Sequence, residues 1–259
     1  MDSSFTTAGA RIHYEQIGTG GPNIIFLHYW GGSSRTWRHV TERLADQARC
    51  ISVDLRGWGR SVALDDRYDL EAMADDVMAL AEGLNLDSYF LVGHSMGGKV
   101  AQIVARRAPA ALAGVVLVAP SPPGGMAVPA DVRAGMLASY QSPAGVEQAL
   151  AVLTHQALAE EDKQQVLADT LQGAPQAKAY WTDAGMLADI GAVAGITAPV
   201  LIVVGEQDQV ERVAVLRPVY ARVLPRADFR TLAGTGHLAP LEAPEAVAQA
   251  CAEFVSALA

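Results

Sequence analysis

Short apolar runs alternate with longer segments of helical periodicity along most of the chain. Each run has the length of a buried strand and ends at a loop-forming residue such as Gly, Asp or Pro. Because the runs are largely continuous rather than alternating, they favour strands covered on both faces of a sheet. They lie at residues 23–27, 49–53, 88–92, 114–118, 199–204 and 228–232.

Helix-like segments separate these runs. The repeated order of strand, helix and strand predicts a parallel sheet with right-handed crossovers and helices on both faces. Residues 5–8 and 12–16 flank Gly9 and predict an antiparallel hairpin at the sheet edge, which brings the predicted sheet to eight strands. The helix-like segments lie at residues 37–47, 70–84, 97–107, 212–224 and 242–258.

One long stretch breaks the alternation. Residues 121–196 contain no convincing strand pattern; they open with two prolines and two glycines and continue with Ala-rich helical patterns. We therefore predict a helical cap at residues 121–196, inserted into a core made of residues 1–120 and 197–259. The cap helices are expected near residues 132–140, 146–154, 163–173 and 178–187.

Composition and charge narrow the choice of partners. The chain has 259 residues, of which 51% are apolar and 18% charged, and a net charge of −9 without a basic stripe. Since phosphate binding needs such a stripe, we expect no nucleic-acid or membrane partner, but a small-molecule substrate and a monomer or small homo-oligomer. The first eleven residues do not resemble a signal peptide, and no apolar run approaches the roughly 18 residues of a membrane span. We predict a cytoplasmic protein in which Cys50 and Cys251 are buried thiols.

The strongest chemical motif is GHSMGG at residues 93–98, which follows a predicted strand and opens a predicted helix. This context is typical of a nucleophile elbow, in which a serine occupies a strained turn. The residues two positions before and after that serine must lack bulk, and here they are Gly93 and Gly97. The motif predicts Ser95 as a nucleophile at the carboxyl end of the sheet.

A serine hydroxyl needs an adjacent base, and the base needs a carboxylate to hold its tautomer. His237 lies in a loop directly after the last predicted strand, so it is expected at the same sheet edge as Ser95. The preceding strand ends in a loop that contains Glu206 and Asp208. Asp208 is the preferred partner of His237, and Glu206 remains the alternative.

Two backbone N–H groups are candidates for an oxyanion hole. One belongs to Met96, which follows the nucleophile at the start of a helix, and the other to Trp30, in the loop HYWGGS at residues 28–33. We expect His28 to order this loop rather than to act as a second base, and His94 to have a packing role. No metal-binding motif and no phosphate-binding glycine loop occurs in the sequence, and we predict neither a metal nor a cofactor.

Together these motifs resemble the α/β-hydrolase superfamily over essentially the whole chain, and most closely its small-esterase, non-haem-haloperoxidase-like and C–C hydrolase branches. Four motifs occur in the expected order: the 28–33 loop, residues 54–61, the elbow, and Gly236-His237 followed by Glu-Ala-Pro-Glu at 242–245. The resemblance implies a triad of Ser95, Asp208 and His237 that forms an acyl-enzyme without a cofactor. It also implies a cap at the position predicted above.

Two segments depart from the family pattern. Tyr29 stands where the oxyanion loop usually has Gly, which raises the hypothesis that its phenol lines the site or donates to the oxyanion. Residues 210–213 follow Asp208 where relatives often carry a proline, and no functional role is inferred for them.

The predicted reaction is hydrolysis of a small, largely apolar ester or lactone. No charged clamp for a substrate is visible, so we expect an apolar pocket. Four alternatives remain open. Three are enzymatic and use the same fold: C–C bond hydrolysis, perhydrolysis and cofactor-free dioxygenation. The fourth, outside catalysis, is a small-ligand receptor. The residues expected to bind substrate are Tyr29, His28, Met126, Tyr140, Trp181 and Leu238.

Overall fold

A nine-stranded, mostly parallel sheet forms the centre of the computed structural model, which describes residues 2–258. The predicted fold class is confirmed. The sheet has one strand more than predicted, because the two-residue strand Val62–Ala63 is too short to give an apolar run. Met1 and Ala259, the outer ends of the predicted core segments, lie outside the described residues. The strands are β1 (Asp2–Thr6), β2 (Ala10–Ile17), β3 (Asn23–Leu27), β4 (Arg49–Val53), β5 (Val62–Ala63), β6 (Tyr89–His94), β7 (Leu112–Val118), β8 (Val200–Gly205) and β9 (Asp228–Leu232).

The strand order is β1-β2-β4-β3-β6-β7-β8-β9, and β5 pairs with β2. All neighbours from β4 to β9 pair in parallel, whereas β1 and β2 form the predicted antiparallel hairpin at the edge. Because parallel strands end at a common edge, the loops after β3, β6, β8 and β9 meet there. These four loops carry the candidate catalytic motifs.

Ten α-helices accompany the sheet in the described part of the chain. The predicted helix at 242–258 is divided at Ala243 (φ −138°), and the one at 37–47 begins as a 3₁₀ turn at Ser34–Trp37. The helices are α1 (Arg38–Leu44), α2 (Leu70–Gly83), α3 (Met96–Arg106), α4 (Ala130–Ser139), α5 (Pro143–Leu153), α6 (Glu160–Gln172), α7 (Pro175–Asp183), α8 (Val213–Val223), α9 (Ala239–Glu242) and α10 (Pro244–Ser256).

The sheet has an apolar cluster on each face. Successive residues of one strand alternate between the clusters: Ile25 and Leu91 belong to one, and their neighbours Phe26 and Val92 to the other. Burial on both faces explains why these strands appear as continuous apolar runs in the sequence. The two layers of packing hold the strand ends, and thus the loops, in fixed positions.

Helices α4 to α7 lie between β7 and β8 and pack over the carboxyl edge of the sheet. The ring of Tyr140 stacks on that of Trp30 with centroids 3.8 Å apart. The Thr170 hydroxyl donates a hydrogen bond of 3.0 Å to the carbonyl oxygen of Gly31. Both contacts join the helical insertion to the loop after β3, so the insertion covers the edge where the candidate catalytic loops meet.

Candidate active site

Ser95 occupies the sharp turn between β6 and α3. Its backbone has φ 51° and ψ −109°, a conformation that is costly for a residue with a side chain. A Cβ atom at Gly93 would collide with the carbonyl oxygen of Gly97, and one at Gly97 would lie 2.6 Å from that of His28. The two glycines are therefore required by close backbone approach, as the motif predicts for a nucleophile elbow.

His237 and Asp208 form a buried pair in the loops after β9 and β8. His237 Nδ1 lies 2.8 Å from Asp208 Oδ2. The other oxygen, Oδ1, accepts hydrogen bonds from the backbone N–H groups of Val210 and Glu211, at 2.7 and 2.8 Å. The carboxylate is therefore oriented by its own loop, and it holds the imidazole with Nδ1 protonated and Nε2 free to accept a proton.

The pKa of Asp208 lies below its ordinary value of 3.8 although the group is buried. Burial would raise this pKa, but the neighbouring His237 and the hydrogen bonds to the carboxylate outweigh it. Asp208 is thus ionised at neutral pH. Glu206, the alternative partner, is exposed and accepts a hydrogen bond of 3.1 Å from the backbone of Gly234 instead.

A cavity of about 510 Å³ lies between the sheet edge and the helical insertion, and both Ser95 and His237 line it. Its wall is mostly apolar. Of the residues expected to bind substrate, Tyr29, Met126, Tyr140 and Trp181 line this cavity, as does Trp30.

Contrary to the prediction that they bind substrate, His28 and Leu238 do not line the cavity. His28 Nδ1 donates to the carbonyl oxygen of Tyr29 at 2.7 Å, and Nε2 accepts from the backbone N–H of Leu55 at 3.0 Å. Burial lowers the pKa of His28 to about 4, so the ring is neutral and serves to order the loop. Leu238 is fully buried in an apolar cluster with Val146.

The two oxyanion-hole candidates lie on adjoining loops. Met96 is the first residue of α3, so its N–H has no acceptor within that helix. Trp30 lies in the loop after β3, and its carbonyl oxygen accepts a hydrogen bond of 3.3 Å from the hydroxyl of Tyr140. The Gly97 N–H donates to the carbonyl oxygen of His28 at 3.1 Å, which ties the elbow to that loop.

The family model described as "Alpha/beta hydrolase family" matches residues 24–250. The chain belongs to the α/β-hydrolase family. This confirms the resemblance found in the motifs, and the match includes all three candidate catalytic residues.

Several known proteins are similar to this α/β-hydrolase. The non-haem chloroperoxidase CPO-A1 of Kitasatospora aureofaciens is 28% identical over 90% of both chains. The dihydrolipoyllysine-residue acetyltransferase component of the acetoin cleaving system of Pseudomonas putida is 31% identical over 93% of this chain, which spans 65% of that protein's length. A solved thermophilic esterase from Thermogutta terrifontis, with malate bound, has a TM-score of 0.84 at 27% identity, covering 100% of this chain and 99% of that one.

His94 has a role in this α/β-hydrolase beyond the packing that the sequence suggested. Its Nε2 donates a hydrogen bond of 2.8 Å to the backbone carbonyl oxygen of His237. Burial, with the nearby His237, holds the pKa of His94 well below its ordinary value, so the ring is neutral and this nitrogen carries its proton. The residue before the nucleophile thus positions the loop of the candidate base.

Glu242 also supports that loop, which the sequence alone did not indicate. Its Oε2 accepts hydrogen bonds from the backbone N–H groups of Gly236 at 3.1 Å, and of His155 and Gln156 at 2.8 Å each. The His237 N–H donates to the carbonyl oxygen of Leu153 at 2.9 Å. The loop of the candidate base is therefore bonded to the end of α5 in the insertion.

Neither a membrane-crossing helix nor a metal-binding cluster is found in the described chain. No helix within residues 2–258 combines the length and the apolar character needed to span a bilayer. Within the same residues no group of three or more His, Cys, Asp and Glu side chains is arranged to hold a metal ion.

Proposed function

We propose that the protein is a serine hydrolase that cleaves carboxylic esters through an acyl-enzyme on Ser95. The observation that carries this proposal is the 2.8 Å hydrogen bond between His237 and Asp208 beside a cavity that both Ser95 and His237 line. A strained serine at a helix N-terminus, an imidazole with a fixed tautomer and an ionised carboxylate form the set of groups that acyl transfer requires.

In the proposed first step, Ser95 Oγ attacks the ester carbonyl while His237 Nε2 removes the hydroxyl proton. The imidazolium that forms is stabilised by the carboxylate of Asp208. His237 then gives the proton to the leaving alcohol oxygen. In the second step His237 deprotonates a water molecule, which attacks the acyl-enzyme and releases the carboxylic acid and Ser95.

Charge develops on the carbonyl oxygen during both steps. The backbone N–H groups of Met96 and Trp30 are the proposed donors to this oxyanion. One preorganised donor of this kind contributes about 3 kcal/mol to transition-state stabilisation. All proposed steps use side chains, backbone groups and water.

The cavity favours a neutral substrate of modest size. Its volume of about 510 Å³ is in the range of small-molecule sites, and most of its lining side chains are apolar. Because the insertion supplies Met126, Tyr140 and Trp181 to this lining, we propose that residues 121–196 act as a cap domain that selects the substrate. Residues 1–120 and 197–259 would then form the catalytic core.

Active-site labelling and an ester panel test the proposal. A fluorophosphonate probe should label the wild type, and nitrophenyl esters of two to eight carbons, methyl esters and lactones should report hydrolysis. Ser95→Ala should abolish labelling and lower kcat by about four to six orders of magnitude, because the triad acts as a unit.

Ser34→Ala is the matched control, since the Ser34 hydroxyl is buried, lies outside the cavity lining and has no hydrogen-bond partner within residues 2–258. It should keep wild-type labelling and turnover. Ester hydrolysis that survives Ser95→Ala would refute the nucleophile. If kcat/KM for cleavage of a vinylogous diketone exceeds that for hydrolysis of every ester tested, a C–C hydrolase replaces the esterase assignment. If kcat/KM for peracid formation does so, a perhydrolase replaces it.

A further inference from the structure

A buried carboxyl group lines the apolar cavity without belonging to the proposed triad. Glu211 lies three residues after Asp208, and its side chain belongs to the cavity wall together with those of Ser95 and His237. The residue is only 3% exposed. Its Oε1 has no hydrogen-bond partner within residues 2–258. A buried polar atom without a partner is rare in folded proteins and calls for an explanation.

The surroundings of Glu211 favour the protonated form of this carboxyl. Burial is the main reason that its pKa lies well above the ordinary value of 4.5, and the negative charge of Asp208 adds to the effect. Lys99 acts in the opposite direction, and the phenol of Tyr220 is neutral because burial raises its pKa far above 10. A protonated carboxyl group carries an O–H donor.

We propose that Glu211 is a specificity-determining residue that donates a hydrogen bond to a second oxygen of the substrate. The preferred ester would then carry a ketone oxygen, or a similar neutral acceptor, on the chain that enters the apolar cavity. The inference deepens the proposed esterase function and rests on it. It assigns to the site a substrate class that is mainly apolar but has one polar group apart from the ester.

Neighbouring charges favour a neutral acceptor over an ionic one. An anionic substrate group would lie close to the ionised carboxylate of Asp208 and would leave water for an apolar cavity. A cationic group beside Glu211 would be repelled by the ammonium of Lys99, whose charge acts on Glu211. A ketone oxygen accepts the unused donor of Glu211 without bringing a charge.

Binding to the inactive Ser95→Ala protein tests the inference independently of hydrolysis. The ligands are methyl heptanoate and its 4-oxo, 5-oxo and 6-oxo derivatives, and the dissociation constants are measured by titration calorimetry at pH 6. At least one oxo ester should bind about tenfold more tightly than methyl heptanoate, since one net hydrogen bond has about that effect. Equal affinities across the series would overturn the inference.

Two substitutions in the Ser95→Ala background separate hydrogen bonding from shape. Glu211→Gln keeps the size and an N–H donor, so the preference for the oxo ester should remain. Glu211→Leu removes the donor, so the preference should disappear while methyl heptanoate binds at least as well as before. A preference that persists in Glu211→Leu, or that is lost in Glu211→Gln, would contradict the donor role.

The pH dependence gives a readout that a purely structural role would not change. As pH rises through the raised pKa of Glu211, the carboxyl loses its proton, and the oxo-ester preference should fall. Glu211→Gln should keep the preference over the same range, although Asp208, Lys99 and Tyr220 still surround the position. A parallel decline in both proteins would assign the effect to Lys99 instead and reject the inference.

Hydrolysis of the same esters by the wild type separates the two proposals. Equal rates of hydrolysis by the wild type and Ser95→Ala would refute the proposed function. The affinity of Ser95→Ala for the oxo esters, compared with methyl heptanoate, would still show whether Glu211 acts as a hydrogen-bond donor.

Discussion

At the scale of single residues, the candidate triad could be predicted because each member follows a buried strand in a parallel sheet. The sequence favoured Asp208 over Glu206 but left the alternative open, since both lie in the same loop. The hydrogen bond of Asp208 to His237 and the exposure of Glu206 support the preferred residue. Glu211 could not be assigned from the sequence. The surrounding sequence, EQDQVERV at 206–213, is mostly polar, and nothing in it indicates that one carboxyl is buried beside the cavity.

Asp208→Asn should lower kcat for a nitrophenyl ester by about four orders of magnitude. The amide keeps the shape of the carboxylate but no longer fixes the tautomer of His237 or stabilises its charged form. Glu206→Gln is the control, because Glu206 is exposed and occupies the same loop. Steady-state kinetics of the two variants would show which carboxylate is the partner of His237. A larger loss of kcat in Glu206→Gln than in Asp208→Asn would assign that role to Glu206.

Lys99→Met should stabilise the protein by about 1–3 kcal/mol at pH 7. Burial lowers the pKa of Lys99 to about 8 from 10.5, so the folded state holds its charge less readily than the unfolded chain. The resulting loss of folding stability has its full value below pH 8, where both the folded and the unfolded chain hold the proton. It decreases as pH rises from 8 towards 10.5, because the folded protein then releases the proton.

Urea unfolding of the wild type and Lys99→Met from pH 7 to 9.5 checks this prediction. The stability difference should be largest at pH 7 and shrink as pH rises. Arg106, which is on the same helix but partly exposed, serves as control, and Arg106→Met should give a difference without that trend. A difference that grows with pH would show that the Lys99 charge is stabilising.

At the scale of elements, the buried strands were predicted closely because continuous apolar runs mark them; β3, β4 and β9 have the predicted bounds. Helix ends were less accurate, since capping and local breaks decide them. The division of the last helix at Ala243 places Glu242 at the end of the short helix α9. There it supports the His237 loop, a contact between distant segments that no local pattern indicates.

Glu242→Ala should lower kcat at least tenfold and the free energy of unfolding by about 1–3 kcal/mol. The substitution removes the common acceptor of three backbone N–H groups, and small displacements of a catalytic base have large effects on rate. Hydrogen exchange should increase at the amide of Gly236 and at those of His155 and Gln156.

Glu245→Gln is the matched control for Glu242→Ala. Glu245 lies three residues further on and forms an exposed ion pair with Arg43 at 2.8 Å, which contributes little to stability. The control should keep wild-type turnover and exchange. Unchanged exchange at Gly236 in Glu242→Ala would contradict the supporting role of the carboxylate.

At the scale of the whole molecule, the helical insertion and the sheet edge enclose the cavity between them. The insertion was predicted from the absence of a strand pattern. Its mode of attachment was not, because its contacts with the core join residues far apart in the sequence. The carboxylate of Asp169 in α6 accepts a hydrogen bond of 2.8 Å from the Ser33 hydroxyl and pairs with the guanidinium of Arg35. This attachment connects the insertion to the loop that carries Trp30.

Asp169→Ala should loosen the insertion more than it destabilises the fold. Burial raises the pKa of Asp169 despite Arg35 and Ser33, so loss of the carboxylate also relieves a desolvation penalty, and the unfolding free energy should fall by only about 1–2 kcal/mol. KM for a nitrophenyl ester and the rate of limited proteolysis within 121–196 should both rise severalfold.

Glu161→Gln, a change at an exposed position on the same helix, provides the comparison and should leave both quantities at wild-type values. Proteolysis of Asp169→Ala at the wild-type rate would argue that other contacts hold the insertion.

The carbonyl oxygen of Leu153 accepts hydrogen bonds from the backbone of both His237 and Leu238. Leu153 also lines the cavity, so the end of α5 both forms part of the cavity wall and holds the backbone of the candidate base. A substrate that displaces Leu153 would therefore act on the position of His237 through the same two hydrogen bonds.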